Sequence, residues 1–490
     1  MVANQHIQYN DPIEDTNNNI YQPDQVKHTT VKLTEIFSNF NRLEASAFSI
    51  EAKVERDKVL NCKFDPTFLW SEGMALDCYY GGRAKRDYVD KNVSGAIGFI
   101  GSAEMLEVKP KPKKFLSSSK IDISQFKVNE GDILISRSGT IGNVTFVNKT
   151  LEKNLISEHA IRLIPKEYGG YIYAYLKTKT GKILVKANTF GAVVDQIEPE
   201  HLKKVLIPNA DVKIKKEIHD LIVKSFNLRD ESNKLIDNAE ALLYKELNLP
   251  NINSITPKYF SDKLDVKNFS VKLSSINLRL EATYNNPIIN EISTLIRNNS
   301  AEVLKIGNEK ISSNIILPGR FKRVYVDEEN GTPFFGGKQL LELSPSNIKY
   351  LSKNQHKDLI KNKLLLSENM IAITCSGTIG KINIIPRHWE NWTLNQHVLR
   401  IVPVDNNIAG YLFCWLNSDF GYELIVRNNY GAVIDEIDDK HISDIEVPII
   451  KNKESLKKIN DMVLKANKLR YQAYTDEITA INQMNNVINS

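Results

Sequence analysis

The sequence predicts a mixed α/β protein in which two pseudo-symmetric α/β units are separated by two long antiparallel coiled-coil helices. Three observations support this fold class. The chain repeats itself once, each copy contains short β-rich runs bounded by turn residues, and each copy ends in a heptad pattern. A length of 490 residues agrees with this plan, because it exceeds what one ordinary hydrophobic core organises.

The internal duplication preserves the order of its blocks. Gly82–Arg86 returns as Gly319–Arg323, and Ser138–Gly142 returns unchanged as Ser376–Gly380. Further blocks return in the same order, and the offset between the two copies stays nearly constant along the chain. Shared composition would match residue types but not their order, and a period of roughly half the chain is too long for a solenoid. The sequence therefore contains two copies of one whole domain.

Within each copy, strands are expected on both sides of the repeated Ser-Gly-Thr turn. The apolar runs 132–136 and 370–374 lead into this turn, which indicates a strand followed by a tight reversal. The runs 160–165 and 398–403 indicate further strands, each stopped by a proline. A helix is expected after each of these strands, at 171–176 and 411–416.

Each copy then ends in a heptad seam, which predicts a long helix. The seam comprises Ile218, Leu221, Ser225, Leu228, Ser232, Leu235, Ala239 and Leu242 in the first copy, and Ile459, Met462, Ala466, Leu469, Ala473 and Ala480 in the second. Small residues recur near the middle of both seams, so two backbones could approach closely there. We therefore favour an antiparallel pair over two helices that each pack only on their own unit. About 33 residues at ~1.5 Å per residue make a rod of roughly 50 Å.

The domain boundaries follow from these patterns. The N-terminal segment is rich in Asn, Asp and Gln, which indicates a flexible terminus. We expect a flexible N-terminal tail at 1–30, a first unit at 31–210, a central long helix at 211–250, a second unit at 251–450 and a distal long helix at 451–487.

Composition limits the classes of protein. The 64 Lys and Arg residues against 59 Asp and Glu give a formal net charge of +5, which permits a nucleic-acid partner without requiring one. The four cysteines show no CxxC spacing, so neither a zinc site nor a disulfide framework is predicted, and scattered thiols suit a reducing cytoplasm. Neither a signal peptide nor a run of about 18 apolar residues is found, so we expect a cytoplasmic protein without a membrane partner.

The duplicated plan resembles that of the specificity (S) subunits of Type I restriction–modification enzymes, over residues 30–485. The motif at 131–142, the Gly-Ala-Val segments at 191–193 and 431–433, and the Ile-Pro and Val-Pro pairs that precede the helices carry the resemblance. The second copy departs from it at 369–374, which lacks Gly-Asp, and both helix entrances lack the Pro-Pro and Glu-Gln often found there. These departures leave the subfamily open.

The resemblance implies a function and a set of partners. Each unit would be a target-recognition domain that reads one half of a split, asymmetric site on double-stranded DNA, and the helices would set the gap between the halves. DNA methyltransferase (modification) subunits, expected to number two, would dock on the helices and bind S-adenosylmethionine, whereas this chain would bind no cofactor. A restriction subunit is an optional further partner.

Affinity for DNA comes from Lys and Arg on phosphates, and sequence reading comes from side chains on base edges. A basic cluster repeated in both copies suits backbone contact, with a solvated surface as the alternative; it comprises Arg83, Lys85, Arg86, Arg320, Lys322 and Arg323. A second group stands in an extended, proline-containing loop of the first copy, where lysines more often face solvent; it comprises Lys109, Lys111, Lys113 and Lys114.

Two further loops supply candidates. Gly336–Gln339 differs from its counterpart Gly101–Glu104, so Lys338 and Gln339 are candidates for reading purine edges, with an ordinary glycine-rich turn as the alternative. The Ser-Gly-Thr turns contribute candidates for backbone contact, namely Arg137, Ser138, Thr140, Ser376 and Thr378. Because this turn is identical in both copies and lacks a P-loop signature, we favour a structural role for it.

Two other classes of function stay open. An adenine methyltransferase would carry Asn or Asp before Pro-Pro and an aromatic residue, and the nearest approach, 65–68, has one proline and no counterpart in the second copy. His159 and His397 are interpreted as hydrogen-bonded structural residues rather than catalytic bases, so we expect no catalytic centre in this chain. The other class is a protein-binding scaffold of the same duplicated fold, which loss of basic surface on the units would favour.

Overall fold

The computed structural model describes residues 30–38, 48–82, 86–187, 196–255, 269–276, 279–431 and 433–490. Several predicted features lie outside the described residues: Arg83, Lys85, the first Gly-Ala-Val segment at 191–193 and nearly all of the N-terminal tail. Within the described part of the chain, no helix is long and apolar enough to cross a membrane.

The first unit combines a four-stranded antiparallel sheet with a smaller sheet. Its strands are β1 (Pro66–Phe68), β2 (Ala75–Tyr79), β3 (Ala96–Ile100), β4 (Lys114–Ser117), β5 (Ile133–Ser136), β6 (Val144–Phe146), β7 (Leu155–Ile156), β8 (Ala160–Pro165) and β9 (Leu206–Pro208). Its helices are α1 (Leu33–Ser38), α2 (Ile50–Asn61), α3 (Lys149–Glu152), α4 (Gly169–Lys177), α5 (Lys179–Lys186) and α6 (Pro199–Leu202). The large sheet has the order β2-β8-β5-β6 and the small one β4-β3-β7. Leu134 of the large sheet and Ile156 of the small sheet share one hydrophobic cluster, so the two sheets pack as one domain.

The second unit repeats this topology. Its strands are β10 (Ser300–Lys305), β11 (Ser312–Ile316), β12 (Tyr325–Val326), β13 (Gly331–Phe335), β14 (Lys349–Ser352), β15 (Ile371–Thr374), β16 (Ile382–Ile384), β17 (Thr393–Leu394), β18 (Val398–Pro403) and β19 (Glu446–Ile450). The helices between the two long ones are α8 (Ile252–Ile255), α9 (Pro287–Asn299), α10 (Lys357–Leu359), α11 (Asn406–Asn417), α12 (Asp419–Val426) and α13 (Asp439–Ser443). The order β11-β18-β15-β16 matches that of the first large sheet. Register is repeated too, since Ile133 faces Leu163 in the first unit and Ile371 faces Ile401 in the second.

The central helix, α7 (Val212–Glu246), and the distal helix, α14 (Lys453–Ile488), form an antiparallel pair, which confirms the predicted fold class. Ser455, near the start of the distal helix, donates from Oγ to Glu246 Oε1 at the end of the central helix, 2.8 Å away. Near the middle of the pair, Ser225 Oγ donates to the carbonyl oxygen of Ala473 at 2.7 Å. The small residues at mid-seam therefore allow the close backbone approach that we predicted.

The seam between the two helices differs from the prediction at every second position. The buried seam residues of the central helix are Ile218, Ile222, Ser225, Arg229, Ser232, Ile236, Ala239 and Leu243. The predicted seam instead contained Leu221, Leu228, Leu235 and Leu242. Each of these leucines lies one residue before a buried seam residue and is half-buried. Leu221 packs against the first unit, and Leu235 and Leu242 pack against the second. The prediction was wrong there because Leu221, Leu235 and Leu242 pack toward the globular units, whereas Arg229 lies in the seam.

The distal helix shows the same correction. Its buried seam residues are Ile459, Val463, Ala466, Arg470, Ala473, Glu477, Ala480 and Met484. Val463 and Arg470 therefore take the places that we predicted for Met462 and Leu469. Each long helix also enters both hydrophobic cores: Met484 of the distal helix packs in the first unit, whereas Ile459 packs in the second. The helix pair is thus continuous with both units, which fixes how they are oriented.

The two units also contact each other directly near their pseudo-two-fold axis. Glu107 and Glu342 occupy equivalent positions in the two copies, and their backbones form an isolated antiparallel bridge. Next to it, the amide of Val108 donates to the carbonyl of Leu341 at 2.9 Å. Lys381 of the second unit forms an ion pair with Glu107 at 2.8 Å. This contact and the helix pair together hold the units at one separation.

At equivalent positions, each long helix also contacts its unit through a polar side chain. His219 Nδ1 of the central helix accepts the amide of Gly170 at 3.0 Å, and Asn460 Oδ1 of the distal helix accepts the amide of Gly410 at 2.8 Å. Glycine is required at both places, because a Cβ would stand 2.8 Å from the His219 backbone or 2.4 Å from the Asn460 carbonyl oxygen. Burial lowers the pKa of His219 below its ordinary value, which keeps Nδ1 able to accept.

The duplication supplies a matched variant for this contact. His219→Asn should keep the bond at neutral pH, whereas His219→Ala should lower the free energy of unfolding by about 1 kcal/mol. The pKa of His219 is lower in the folded chain, so its contribution is present above pH ~6.5 and is lost as the pH falls below that value. Urea unfolding at pH 7.5 and pH 5.5 should therefore show a smaller loss of stability for His219→Asn than for the wild type. An equal loss in both proteins would contradict the assignment.

Candidate nucleic-acid interface

The Ser-Gly-Thr turn has the same geometry in both units. Gly139 and Gly377 adopt φ of 77° and 76°, which a side chain would disfavour. Thr374 Oγ1, at the end of β15, donates to the carbonyl of Thr378 at 2.6 Å, and the Ser136 hydroxyl makes the same contact with Thr140. The tips of both turns, including Thr140 and Thr378, are exposed. The turn is thus a rigid structural element whose tip remains open to a ligand.

A histidine lies behind each turn. Ser138 Oγ and His159 Nδ1 are 2.8 Å apart, and the Arg137 amide donates to the His159 carbonyl at 2.8 Å. In the second unit the Cys375 amide donates to the His397 carbonyl at 2.9 Å. Burial, together with Arg323 and Arg320, lowers the pKa of His397. In both units the carbonyl of the histidine thus accepts from the residue before the turn, and the structural role of the two histidines stays a prediction.

The residue before each histidine binds an arginine. Glu158 forms an ion pair with Arg86 in the first unit, whereas Gln396 Oε1 accepts from Arg323 at 2.8 Å in the second. These are equivalent contacts, since Arg86 corresponds to Arg323 and Glu158 to Gln396. The partner in the second unit is uncharged, so Gln396 leaves the positive charge of Arg323 uncompensated, whereas Glu158 neutralises that of Arg86.

From each arginine continues a chain of contacts in which two aromatic rings lie between two cations, which we call the ladder. In the first unit, Arg86 lies 5.1 Å from the ring centroid of Phe99, Phe99 lies 6.2 Å from Tyr88, and the Lys114 ammonium lies 5.0 Å from Tyr88. The sequence predicts the two cations as candidate DNA contacts, but it does not predict the rings. A search for aromatic residues retained at matching positions of the two copies would have found them.

The second unit repeats the ladder with the same four residue types. Arg323 lies 5.8 Å from Phe334, Phe334 lies 6.1 Å from Tyr325, and the Lys349 ammonium lies 4.7 Å from Tyr325. The turn, the histidine, its preceding residue and the ladder together form a continuous surface in each unit, which we call the duplicated face. Cation–aromatic contacts on it keep long side chains ordered without removing their charge.

Arg320 and Lys322 extend this face in the second unit. The side chain of Arg320 is 85% exposed, and its guanidinium lies 3.6 Å from the Glu436 carboxylate. Lys322 is also exposed. With Arg323, these residues place three cations near the Ser376 turn, and Arg320 forms an ion pair with Glu436, whose backbone bridges to Ser376.

The lysine loop of the first unit lies mainly between the two units. Lys109 pairs with Asp237 of the central helix, and the Lys111 ammonium donates to the carbonyl of Asn417 at 2.7 Å. Lys113 lines a cleft of the second unit beside Thr378. Only Lys114, on β4, belongs to the duplicated face. The loop therefore contributes to holding the units together, and Lys111 is engaged in that contact.

Other predicted candidates have partners within their own unit. Arg137 is buried, pairs with Glu198 and lies 4.1 Å from the ring of Tyr80. Gln339 Nε2 donates to the Ser346 carbonyl at 3.2 Å, so this amide closes its own loop. Lys338, in the same loop, is exposed and stays available for contact with a base edge.

Comparison with known proteins places these observations in context. The family model described as the Type I restriction modification DNA specificity domain matches residues 81–243 and 321–462, one region in each copy. Together these regions cover more than half of the chain, and each includes a Ser-Gly-Thr turn and a ladder arginine. A search of curated protein sequences found no match.

Solved structures of similar proteins include two S subunits. The S subunit of a Type-I restriction-modification system from M. genitalium has 12% identity and a TM-score of 0.32, with 88% of this chain and 96% of that chain covered. The HsdS subunit from Thermoanaerobacter tengcongensis has 12% identity and a TM-score of 0.26, with coverage of 85% and 95%. A third structure, from work on complex assembly and conformational transition of the type I R-M system, has 14% identity, a TM-score of 0.26 and coverage of 86% and 98%.

Proposed function

Because the chain belongs to the Type I restriction–modification DNA specificity family, we propose that its two units bind the two halves of a bipartite DNA target through their duplicated faces. The chain is a DNA sequence-specificity subunit. The observation that carries it is the repetition of one surface, with its cations and rings, at equivalent places in two units. Two copies of one surface on a pseudo-two-fold protein suit two segments of one duplex.

The separation between the half-sites follows from the helix pair and the bridge at Glu107 and Glu342. Long helices of 35 and 36 residues span roughly 50 Å at ~1.5 Å per residue. Both helices enter both hydrophobic cores, so the two faces cannot change their spacing independently of the helices. A fixed spacing between faces requires a fixed number of base pairs between the half-sites.

The partners in this proposal are double-stranded DNA and DNA methyltransferase subunits, with a restriction subunit as an optional addition. The methyltransferase subunits would bind S-adenosylmethionine and modify adenine, whereas this chain would supply the target sequence and no catalytic group. Family membership supports such partners, and we expect two methyltransferase subunits because the chain offers two equivalent units. A protein-binding scaffold is less well supported, because the second unit retains Arg320, Lys322 and Arg323 on one surface.

Mapping methylated adenines tests this function. The chain is co-expressed with methyltransferase subunits encoded beside it, and modified adenines are located across the genome with and without the gene. We expect one motif of two short halves separated by a fixed gap, which disappears when the gene is deleted. DNA binding without such a motif would assign a different partner, and the absence of both would favour the scaffold.

A further inference from the structure

The exposed end of each ladder is retained in both copies although folding does not require it. Tyr88 and Tyr325 are 43% and 40% exposed, and Lys114 and Lys349 are exposed beside them. Buried positions of a duplicated domain stay similar because both cores must pack, but exposed positions are free to differ. An exposed tyrosine and lysine that keep their mutual contact in both units therefore indicate a task that the two units share.

The buried phenylalanine of each ladder holds the exposed tyrosine and lysine in place. Phe99 is 7% exposed and is the direct cross-strand neighbour of Lys114, and Phe334 is 4% exposed and faces Lys349 in the same way. Each buried ring packs against the exposed tyrosine, and the lysine ammonium lies over the face of that tyrosine. Ordering before binding lowers the entropy that a ligand must remove from a lysine side chain.

We propose that the Tyr88–Lys114 pair and the Tyr325–Lys349 pair are phosphate-contact sites, through which both units hold the DNA backbone in the same sequence-independent way. A phosphate oxygen would accept from the tyrosine hydroxyl and would neutralise the ammonium. An identical pair cannot distinguish two different half-sites, so it positions the duplex while other side chains read the bases. The inference rests on the proposed DNA-binding function and names residues that would perform part of it.

The two phosphate-contact sites differ in the charges of the neighbouring turn. This difference predicts which site contributes more to DNA affinity. The turn after β12 carries Asp327, Glu328 and Glu329, whereas the corresponding turn of the first unit carries Asp90 and Lys91. Carboxylates close to a phosphate oppose its binding, and this opposition is greater at low salt. We therefore infer that the first-unit pair contributes more to affinity than the second-unit pair.

The test uses the complete complex of this chain with its methyltransferase subunits. Lys114→Met keeps the apolar stem and removes the charge, and Tyr88→Phe removes the hydroxyl alone. Affinity is measured at several salt concentrations for the bipartite target and for an unrelated duplex. We expect Lys114→Met to weaken both complexes by a similar factor of about 5 to 10 and to reduce the salt slope by about one, with a smaller loss for Tyr88→Phe.

Two variants control the measurement. Lys114→Arg keeps the charge and should restore affinity, and Lys153→Met removes an exposed lysine of the same unit outside the duplicated face and should change nothing. Unchanged binding by Lys114→Met would overturn the inference, as would a loss confined to the specific target, because that loss would indicate base reading. Release of a methyltransferase subunit by the variant would assign the pair to protein docking instead. A wild-type complex that binds no duplex would overturn the proposed function as well.

Discussion

Replacing Arg320 and Lys322 together with alanine is expected to weaken DNA binding by the assembled complex by roughly 10- to 100-fold at every sequence tested. Both side chains are exposed beside the second Ser-Gly-Thr turn, and each lost phosphate contact costs on the order of 1 kcal/mol. The slope of log affinity against log salt should fall by about two, since two counterion-releasing contacts are removed. Fluorescence anisotropy with the target and with an unrelated duplex measures both quantities.

Lys305 and Lys310 provide the matched control for this prediction. Both are exposed lysines of the second unit that already contact carboxylates, Asp444 at 2.7 Å and Glu302 at 3.6 Å. Their joint replacement removes the same amount of charge from another part of the surface. If it weakened binding as much as the change at Arg320 and Lys322, overall charge rather than a local contact would explain the loss.

Exchanging the residues at Glu158 and Gln396 between the units gives a second test of how charge on this surface affects DNA binding. Gln396→Glu copies the first unit and neutralises Arg323, so we expect weaker binding by a few-fold. Glu158→Gln is the reciprocal change, which releases Arg86 from its ion pair and should strengthen binding. Opposite effects of these two substitutions would assign the charge difference between the units to DNA binding. Effects of the same sign would indicate that both residues act through folding.

The repeating patterns of the sequence predict the fold well, because they depend on neighbours that are close in the chain. The nearly constant offset between matching blocks predicted two equivalent units, and the apolar runs before each Ser-Gly-Thr turn are β5 and β15. The long helices follow from heptad spacing in the same way. Their seam could be predicted only at alternate positions, because the helix surface is apolar toward both its partner helix and the globular units.

The candidate interface was harder to predict because its charges acquire partners that are distant in sequence. Arg86 pairs with a residue 72 positions away, and Arg137 with one 61 positions away. Lys111 contacts a residue 306 positions away, in the other unit. Residue type alone indicates that a cation is present, whereas tertiary folding decides whether its charge remains uncompensated. The ladder was not predicted for the same reason, because its rings are separated in sequence and meet only in the folded domain.

A single buried ion pair breaks the symmetry of the helix pair. Glu477, fully buried at the seam, contacts Arg229, lies 3.5 Å from the Lys177 ammonium and accepts from the Tyr173 hydroxyl at 2.6 Å. Burial raises the pKa of Glu477, but Lys177, Arg229 and the hydrogen bonds outweigh it and lower the pKa to about 2. The residue equivalent to Glu477 in the central helix is Ile236, so the contact occurs once although both helices carry the arginine.

Glu477→Ile places the central-helix residue at this position and is expected to lower the free energy of unfolding by about 3–5 kcal/mol, because Arg229 would remain buried without a carboxylate. Arg229→Leu combined with Glu477→Ile should recover most of that loss, since neither charge then stays unpaired. Urea unfolding followed by circular dichroism measures four proteins: the wild type, Arg229→Leu, Glu477→Ile and the double variant. Independent, additive losses in the single and double variants would contradict the pairing.

The pH dependence of the wild type gives a separate check on this pair. The pKa of Glu477 in the folded chain is below its ordinary value of 4.5, so its stabilising contribution is complete above about pH 4.5 and is lost as the pH falls toward 2. In the double variant this acid sensitivity should be reduced. Because Met484 of the distal helix packs in the first unit and Ile459 packs in the second, the apolar contacts should keep the helices in register in both proteins, so the difference in acid sensitivity reports on the ion pair. Equal acid sensitivity of the wild type and the double variant would contradict the assignment.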